Sequence, residues 1–372
     1  MRFFTTLKKR NNSAKRRLCS LMRINSKRKL ILALIIAIIA ILLFWLVLHL
    51  VVNSSLLDEQ FGDSGDWGGS GEDEEVYLTI DDKDYISNDD IEVYVAAGTD
   101  GGGTDQGEGY NGELADFINV ILIDNTTEKY GFYQIDRNTM VDVPVINKAG
   151  DIEDFAKQQI CTAHWYGFDE DQRNDILCMA VSDAMGDLET DGYYVLNMED
   201  IGLVNDAIGG VTVNIDTDMT NLDPAFTAGA SVHLDGKQAE NYLRARSSVG
   251  EGTNAERMKR QQQYMQNAYS MVIGQLRDNP EYLNDIYSLL EDKVESDGNG
   301  KRLSQISDKL IRYESVGFIS FSGTTKVNDT IGEGIKHEEF YADQSSVLSG
   351  LKKVMNIRED NSGDDDDDED EE

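Results

Sequence analysis

The pattern of apolar and polar positions predicts one long apolar segment, followed by alternating strands and helices. Residues 30–52 are LILALIIAIIAILLFWLVLHLVV and carry no formal charge. A helix of this length spans about 34 Å, enough for a bilayer core of about 30 Å. A buried helix of a soluble protein is the alternative, but such helices are rarely apolar on every face for so long. We expect 30–52 to be a transmembrane helix.

The flanks of this segment predict its orientation. Eleven basic residues and no acidic ones precede it, and basic flanks stay on the cytoplasmic side. A cleaved signal peptide is the competing interpretation, although its apolar core usually has about 7–15 residues and ends at a small-residue cleavage site. We favour an uncleaved signal anchor in the cell membrane, with 1–29 as a basic cytoplasmic tail and the C-terminal part extracellular.

Composition and periodicity divide the rest of the chain. Residues 53–75 are rich in Gly, Ser and acidic residues, which predicts a flexible linker. Residues 76–357 predict one α/β domain in which helices cover a mixed central β-sheet. The predicted strands are 91–97, 117–123, 130–135, 192–196, 211–215 and 317–322, and the predicted helices are 174–185, 200–207, 236–246 and 253–273. Residues 358–372 predict a disordered acidic tail. Cation binding by this tail is the more specific alternative.

Charge is divided between the two sides of the apolar segment. All 69 acidic residues follow it, with 23 of the 34 basic residues, so this part carries a formal net charge of −46. Such a surface repels polyanions, which argues against a nucleic-acid partner. Cys161 and Cys178 are the cysteines on this side, and they form no metal-type CxxC motif. They pair with each other or remain buried thiols.

One stretch concentrates arginines within this acidic background. Residues 242–263 are YLRARSSVGEGTNAERMKRQQQ. Arg244 and Arg246 are predicted to close one helix, and Thr253 and Glu256 have capping-box spacing at the start of the next. In that second helix, Arg257, Arg260, Gln261 and Tyr264 share one face. Arginines beside a helix N-terminus suit a polyphosphate, and surface salt bridges to nearby acids are the simpler alternative.

Two carboxylates lie at the predicted ends of strands. Asp100 follows one strand and Asp116 begins another. Carboxylates at adjacent strand ends can hold a hard cation such as Mg²⁺, which commonly bridges to substrate phosphates. A third strand is followed by Arg137, a position from which a side chain can enter a site at the sheet edge. Each of these signals is weak alone among 69 acidic residues.

Taken in order, these segments resemble the LytR–CpsA–Psr (LCP) proteins of Gram-positive bacteria. The strand ending in GTD is followed by ADFINVILIDNTTEKYGFYQIDRNTM, which is similar to the family's SDTxMLVxxNPxTKxxxxxSxPRDT. Next come ICTAHWYG in place of KINxAYAYGG, and GYYVLNMEDIGLVNDAIGGVTVNI in place of DYYVxVNFxGFxxLVDxLGGVxV. LDGKQAENYLRAR…AERMKRQQ resembles LNGxQALxYxRxR…GRxxRQQ. The resemblance covers about 91–273, and more loosely the chain to about 355.

The resemblance implies an α-β-α sandwich that transfers a glycopolymer from an undecaprenyl-pyrophosphate carrier to peptidoglycan. The implied metal ligands are Asp100 and Asp116, holding Mg²⁺ or Mn²⁺. The implied pyrophosphate-binding residues are Arg137, Arg244, Arg246, Arg257 and Gln261, with Arg260 adjacent, and the implied catalytic residues are Asp116, Arg137 and Arg246. A non-catalytic polyprenyl-phosphate or wall-polymer binding protein and a lipid-pyrophosphate hydrolase are the alternatives.

The chain also departs from the family pattern. Asn138 stands where the family usually has the Asp of its RD pair, and Cys161 and His164 replace an Asn and a Tyr. No arginine follows Asp100 or precedes Ala115, where many relatives carry one. An amide orients Arg137 more weakly than a carboxylate does. These departures do not change the expected fold. They affect the expected catalytic efficiency and the identity of the substrate.

Overall fold

The computed structural model describes residues 76–87, 89–101, 113–246, 249–329 and 336–360. They all belong to the unit that runs from Asp73 to Glu372. The predicted span 30–52, the basic tail, the linker and the run of acids from Asp364 lie outside the described residues. Within those residues, no helix combines the length and apolar character needed to cross a membrane.

Fifteen strands and seven α-helices are found in the described part of the chain. The strands are β1 (Val76–Ile80), β2 (Lys83–Ser87), β3 (Ile91–Thr99), β4 (Ala115–Asp124), β5 (Lys129–Ile135), β6 (Met140–Ile146), β7 (Ile152–Gln159), β8 (Gly192–Asn197), β9 (Thr212–Asn214), β10 (Ser231–His233), β11 (Val294–Ser296), β12 (Glu314–Ser320), β13 (Gly323–Asp329), β14 (Lys336–Ala342) and β15 (Arg358–Glu359). The helices are α1 (Glu170–Ala184), α2 (Ile201–Ala207), α3 (Gly236–Arg244), α4 (Asn254–Asp278), α5 (Tyr282–Leu290), α6 (Gly300–Arg312) and α7 (Gln344–Leu351), with short 3-10 helices at Ile160–Trp165 and Met198–Asp200.

The central sheet has the strand order β11-β8-β3-β4-β5-β12 and is mixed. β4 is antiparallel to both β3 and β5, whereas β8 runs parallel to β3 and β12 parallel to β5. Alternate residues of β4 face opposite layers, as the two-residue period of a strand requires. Ile118, Val120 and Leu122 pack with α1 and α7, and Ile123 packs with α6. The predicted α/β class with a mixed, helix-covered sheet is confirmed.

Several predicted helix boundaries move: the helix predicted over 174–185 runs from Glu170 to Ala184. The helix predicted to include Arg246 ends at Arg244, because Ala245 adopts an extended conformation with φ −56° and ψ 129°. The helix predicted over 253–273 begins after its cap Thr253 and continues to Asp278. Thr253 accepts a hydrogen bond from the Glu256 backbone N–H as predicted. The Glu256 carboxylate instead accepts the backbone N–H of Glu251, so the capping box is only half formed.

Two further expectations are settled outside the central sheet. Arg358 and Glu359, which composition assigned to the acidic tail, form β15 and pair with β2. Cys161 and Cys178 are both buried free thiols, so the disulfide alternative is excluded.

β13 and β14 form a hairpin, and Phe340 of that hairpin donates its backbone N–H to the carbonyl of Asn138. This contact brings the late hairpin beside the end of β5.

Candidate functional site

The antiparallel pairing of β3 and β4 brings the two predicted metal ligands together. Thr99 is the register partner of Ala115, so Asp100 and Asp116 lie at neighbouring strand ends. The backbone N–H of Leu114 donates to Asp100 Oδ1 at 2.7 Å and fixes that carboxylate. Burial raises the pKa of Asp100, and the negative charge of Asp116 raises it further. The two carboxylates therefore share one local electrostatic environment.

Asp116 is held between two arginines from different elements. Arg137, just after β5, places Nη1 2.6 Å from Asp116 Oδ1. Arg257, in the first turn of α4, donates from Nη1 to Asp116 Oδ2 at 2.7 Å and from Nη2 to Asn254 Oδ1 at 2.8 Å. Only 4% of the Arg257 side chain and 15% of the Asp116 side chain are exposed. One carboxylate thus faces two buried guanidinium groups.

This cluster leaves polar atoms without hydrogen-bond partners among the described residues. They are the Nε atoms of Arg137 and Arg257. A buried polar atom without a partner is costly, so such atoms usually mark a place where a ligand, ion or water binds. Unpaired guanidinium donors suit an anion, and the carboxylate oxygens of Asp100 and Asp116 suit a hard cation. The donor set therefore fits a phosphate group together with a divalent cation.

The cation would be held by two protein carboxylates. Among the described residues, no group of three or more His, Cys, Asp or Glu side chains could hold a metal ion. Mg²⁺ is commonly bound through one or two carboxylates, with water and substrate phosphates completing its six ligands. Asp100 and Asp116 fit this type of site.

Arg244 and Arg246 lie at the rim of the cluster and are more exposed. Arg244 is the last residue of α3 and donates from Nη1 to Glu240 Oε1 at 3.1 Å. Its positive charge opposes the pKa rise of Asp100, which places the two groups within electrostatic reach. Arg246 follows the helix, with 37% of its side chain exposed and Nη2 3.6 Å from Glu338 Oε2. Both guanidinium groups remain accessible to a ligand.

Glu338 was not predicted from the sequence, and it bears directly on Asn138. The Nδ2 of Asn138 donates to Glu338 Oε2 at 3.3 Å, and Asn138 Oδ1 accepts from Gln159 Nε2 at 3.1 Å. A carboxylate from β14 thus lies beside the position where the family pattern has an Asp. No local signal distinguishes Glu338 from the other 68 acidic residues.

Two other departures from the family pattern, Cys161 and His164, lie beneath the cluster. Cys161 is fully buried, and its Sγ accepts a hydrogen bond from Arg137 Nη2 at 3.0 Å. Burial raises the pKa of the Cys161 thiol, although the charge of Arg137 partly opposes this. His164 is also fully buried, with Nδ1 3.1 Å from the Glu113 carbonyl oxygen and Nε2 3.1 Å from Asn174 Oδ1. Cys161 contacts the site directly, and His164 supports its packing.

Arg260 does not join the arginine cluster. Its Nε donates to the carbonyl of Tyr242 at 3.1 Å, and its Nη2 donates to the carbonyl of Ala245. The guanidinium therefore holds the end of α3 and the start of the following loop. The predicted set of arginines reduces to Arg137, Arg244, Arg246 and Arg257. Gln261 is buried and accepts a hydrogen bond from Gln134 Nε2 at 3.3 Å.

An apolar cavity of about 310 Å³ adjoins this cluster. It lies between the strands β3 and β8 and the helices α2, α4, α5 and α6. The lining includes Ala96 and Gly98 of β3, Leu196 of β8, Val204 of α2, Met265 of α4 and Ile286 of α5. Gln261 also lines it, one helical turn after Arg257. An apolar chain bound here would end beside the arginines.

An α/β fold with a mixed sheet, an apolar cavity and an arginine–carboxylate cluster defines a protein suited to an amphiphilic anion. The sequence matches the LytR_cpsA_psr family over residues 72–349. The chain therefore belongs to the LytR–CpsA–Psr family, as its motifs predicted. No curated protein sequence matches it significantly.

Solved structures support the same fold. TagV of B. subtilis is 18% identical, with 71% of this chain and 95% of that chain covered and a TM-score of 0.53. Protein gbs0355 from Streptococcus agalactiae is 18% identical, with 71% and 86% covered and a TM-score of 0.53. TagT bound to LIIa-WTA is 15% identical, with 71% and 89% covered and a TM-score of 0.52. At these identities the likeness establishes the fold alone.

Proposed function

We propose that the protein transfers a glycopolymer phosphate from an undecaprenyl-pyrophosphate carrier to peptidoglycan. The observation that carries this proposal is the position of the apolar cavity beside the arginine–carboxylate cluster. Two of its lining residues are Phe117, which follows Asp116 in β4, and Gln261, one helical turn after Arg257. A lipid pyrophosphate has the complementary form, with an apolar chain joined to a doubly charged head. TagT, a structural neighbour, has been solved bound to LIIa-WTA, where WTA is wall teichoic acid.

The arginines would bind the pyrophosphate while the prenyl chain occupies the cavity. Arg137 and Arg257 offer buried guanidinium donors without hydrogen-bond partners in the described residues. Arg244 and Arg246 would contact the phosphates from the exposed rim. The planar guanidinium fork binds phosphate oxygens in pairs, and it neutralises charge that develops on the leaving phosphate.

The reaction is a substitution at the phosphorus atom that carries the glycan. A hydroxyl oxygen of the acceptor, commonly the C6 hydroxyl of N-acetylmuramic acid in this family, bonds to that phosphorus. The bond from this phosphorus to the bridging oxygen breaks, and undecaprenyl phosphate leaves with the bonding electrons. The hydroxyl proton needs an acceptor, and we assign that role to Asp116, whose carboxylate lies between Arg137 and Arg257.

Asp100 and Asp116 would hold Mg²⁺ or Mn²⁺ in this scheme. When bound, the ion supplies Lewis-acid neutralisation of the phosphate oxygens. Asp116 also keeps Arg137 and Arg257 in place, since both guanidinium groups converge on its carboxylate. Positioning of the donor by these residues lowers the entropic part of the barrier.

The proposed location follows from the sequence. A signal anchor at 30–52, with the basic tail inside, would place the folded domain on the outer face of the cell membrane of a Gram-positive type cell. The linker at 53–75 would let the site reach a carrier lipid in the outer leaflet. Membrane, carrier lipid and peptidoglycan are then partners in one compartment, and nucleic acid is not.

The test uses the full chain in lipid nanodiscs, with lipid-linked glycan, peptidoglycan and Mg²⁺. We expect glycan phosphate to appear on peptidoglycan, and Arg246→Ala to lower the rate by at least about tenfold, because a charge-assisted contact in the transition state is lost. Arg312→Ala is the matched control, because Arg312 is an exposed arginine of α6 that pairs with Asp308.

Two outcomes contradict transfer, and a third contradicts the catalytic role of Arg246. A product that is released equally well without peptidoglycan indicates a lipid-pyrophosphate hydrolase. Donor binding without any product, in wild type and Arg246→Ala alike, indicates a binding protein. Transfer by Arg246→Ala at the wild-type rate removes Arg246 from the catalytic set.

A further inference from the structure

A second cavity, of about 280 Å³, lies on the other side of the first turns of α4. Its lining includes Gln134, Asp136, Lys259, Gln262, Phe321 and Phe340. We propose that this cavity binds one sugar ring of the glycan acceptor and presents its hydroxyl to the arginine–carboxylate cluster. The proposal deepens the transfer reaction proposed above and rests on it.

The two cavities are separated by a pair of buried glutamines. Gln134 lines the second cavity and Gln261 lines the apolar one. Gln134 Nε2 donates to Gln261 Oε1 at 3.3 Å, and both side chains are almost completely buried. A ligand in each cavity would therefore approach the same end of α4 from opposite sides. The proposed donor and acceptor would then lie on either side of this glutamine pair.

A short hydrogen-bond chain joins the second cavity to the cluster. Asp136 Oδ1 accepts from Asn254 Nδ2 at 2.7 Å, and Asn254 Oδ1 accepts from Arg257 Nη2 at 2.8 Å. Arg257 in turn donates to Asp116. The wall of the cavity is therefore two hydrogen bonds away from an arginine of the proposed donor site.

The lining of the second cavity differs in chemistry from that of the first. It combines amide, carboxylate and ammonium groups with two phenyl rings. A sugar ring presents hydroxyls that hydrogen-bond to such polar groups and C–H faces that pack on aromatic rings. A prenyl chain bound here would instead bury the polar groups without partners, at a cost in free energy. The lining therefore favours a carbohydrate.

The size of the cavity limits what it can hold. Pockets for small molecules usually have about 300–1,000 Å³, so this one is at the lower end of that range. It suits a single ring inserted from a longer strand, with neighbouring rings outside. A glycan strand of the acceptor offers such a ring at many positions along its length.

The first experiment measures binding without any donor. The probe is the N-acetylglucosaminyl–N-acetylmuramic acid disaccharide, followed by ligand-observed NMR with the full chain in nanodiscs. We expect the wild type to bind it, and the double variant Lys259→Ala/Gln262→Ala to bind it at least about fivefold more weakly, since two polar contacts are lost. Gln266→Ala is the matched control, because Gln266 is exposed on the same helix and lines neither cavity.

The second experiment separates this proposal from the transfer reaction itself. In the transfer assay, the double variant should raise the KM for acceptor about fivefold and leave donor affinity unchanged. Transfer with an unchanged acceptor KM overturns the sugar site and leaves the proposed function standing. Failure of the wild type to bind the disaccharide also overturns it. Disaccharide binding that the double variant weakens, without transfer by the wild type, contradicts the proposed function and supports the sugar site.

Discussion

Glu338 Oε2 lies 3.6 Å from Arg246 Nη2, and the same carboxylate oxygen accepts a hydrogen bond from Asn138 Nδ2. These residues come from the β14 strand, the loop after α3 and the turn after β5. The family pattern has an Asp at the position of Asn138, beside Arg137. In this chain a carboxylate reaches the same place from the β13–β14 hairpin. Glu338 therefore places a carboxylate beside both Asn138 and Arg246.

We expect Glu338→Gln to lower kcat/KM for transfer about fivefold, because a partly exposed ion pair contributes about 0.2–1 kcal/mol and the change also loosens Arg246. The double variant Asn138→Asp/Glu338→Gln should recover most of this loss, because it restores one carboxylate at the same place. Glu359→Gln is the control, since Glu359 pairs with Lys83 on an exposed surface. Wild-type kinetics for Glu338→Gln would contradict the role of Glu338.

Arg257 and Arg260 lie close together on α4 and have different partners. Substitution of Arg260 should therefore affect stability, and substitution of Arg257 should affect pyrophosphate binding. Arg260→Ala leaves the carbonyls of Tyr242 and Ala245 without a donor, which should lower the free energy of unfolding by about 1–3 kcal/mol. Its affinity for inorganic pyrophosphate should stay within about threefold of wild type. Arg257→Ala should abolish pyrophosphate binding and also leave Asp116 with one arginine fewer.

Chemical denaturation and calorimetric titration of pyrophosphate separate these effects. A large loss of pyrophosphate affinity in Arg260→Ala, at unchanged stability, would restore Arg260 to the anion site.

Asp100 and Asp116 should also be distinguishable by amide substitution. Asp100→Asn keeps an oxygen for the Leu114 N–H and removes a buried charge, so stability in chelator should stay within about 1 kcal/mol of wild type. Asp116→Asn leaves Arg137 and Arg257 without their common carboxylate and should cost about 3 kcal/mol.

In both variants we expect the increase in melting temperature on adding Mg²⁺ to disappear, because binding to the folded state alone produces that increase. Thermal unfolding followed across a Mg²⁺ titration makes the measurement. An undiminished shift in Asp100→Asn would exclude Asp100 as a metal ligand.

Filling the apolar cavity should weaken lipid binding selectively. Ala96 lines the cavity from β3, and Ala96→Phe adds a ring to that space. We expect the dissociation constant for undecaprenyl pyrophosphate to rise about tenfold, because apolar burial of the prenyl chain is lost, and that for inorganic pyrophosphate to stay unchanged. Binding is measured in nanodiscs. Ile152→Phe is the control, since Ile152 is an exposed residue of β7.

Equal affinity of wild type and Ala96→Phe for the lipid would show that the prenyl chain binds elsewhere. Loss of affinity for both ligands would indicate damage to the arginine cluster.

Short-range patterns predicted the elements of the central sheet well. The strand predicted over 91–97 extends to Thr99, and the one predicted over 117–123 extends from Ala115 to Asp124. Their positions at the sheet edge also brought Asp100 and Asp116 together as predicted. These features depend on the two-residue period of a strand and on the pairing of neighbours, both of which are visible in the sequence.

Helical periodicity did not predict the hydrogen-bond partners of individual side chains. Positions 257, 260 and 261 do share one side of α4, but a shared side does not determine the partner of each residue. Arg260 donates to the backbone at the end of α3, and Arg257 donates to Asp116. Gln261 accepts a hydrogen bond from Gln134. The packing of α3 against α4 decides this division, and no spacing rule contains it.

The sequence by itself determined the α/β elements and the family, and it predicted Arg137, Arg244, Arg246 and Arg257 as anion-binding residues, because these depend on local periodicity and on contiguous motifs. The span at 30–52, from which the location is inferred, stays a prediction from the same apolar pattern. Only the tertiary structure decided the role of Arg260, the position of Glu338 beside Asn138, and the two cavities on either side of Gln134 and Gln261. Each of these depends on contacts between elements far apart in the chain, and such contacts are set by the packing of the whole domain.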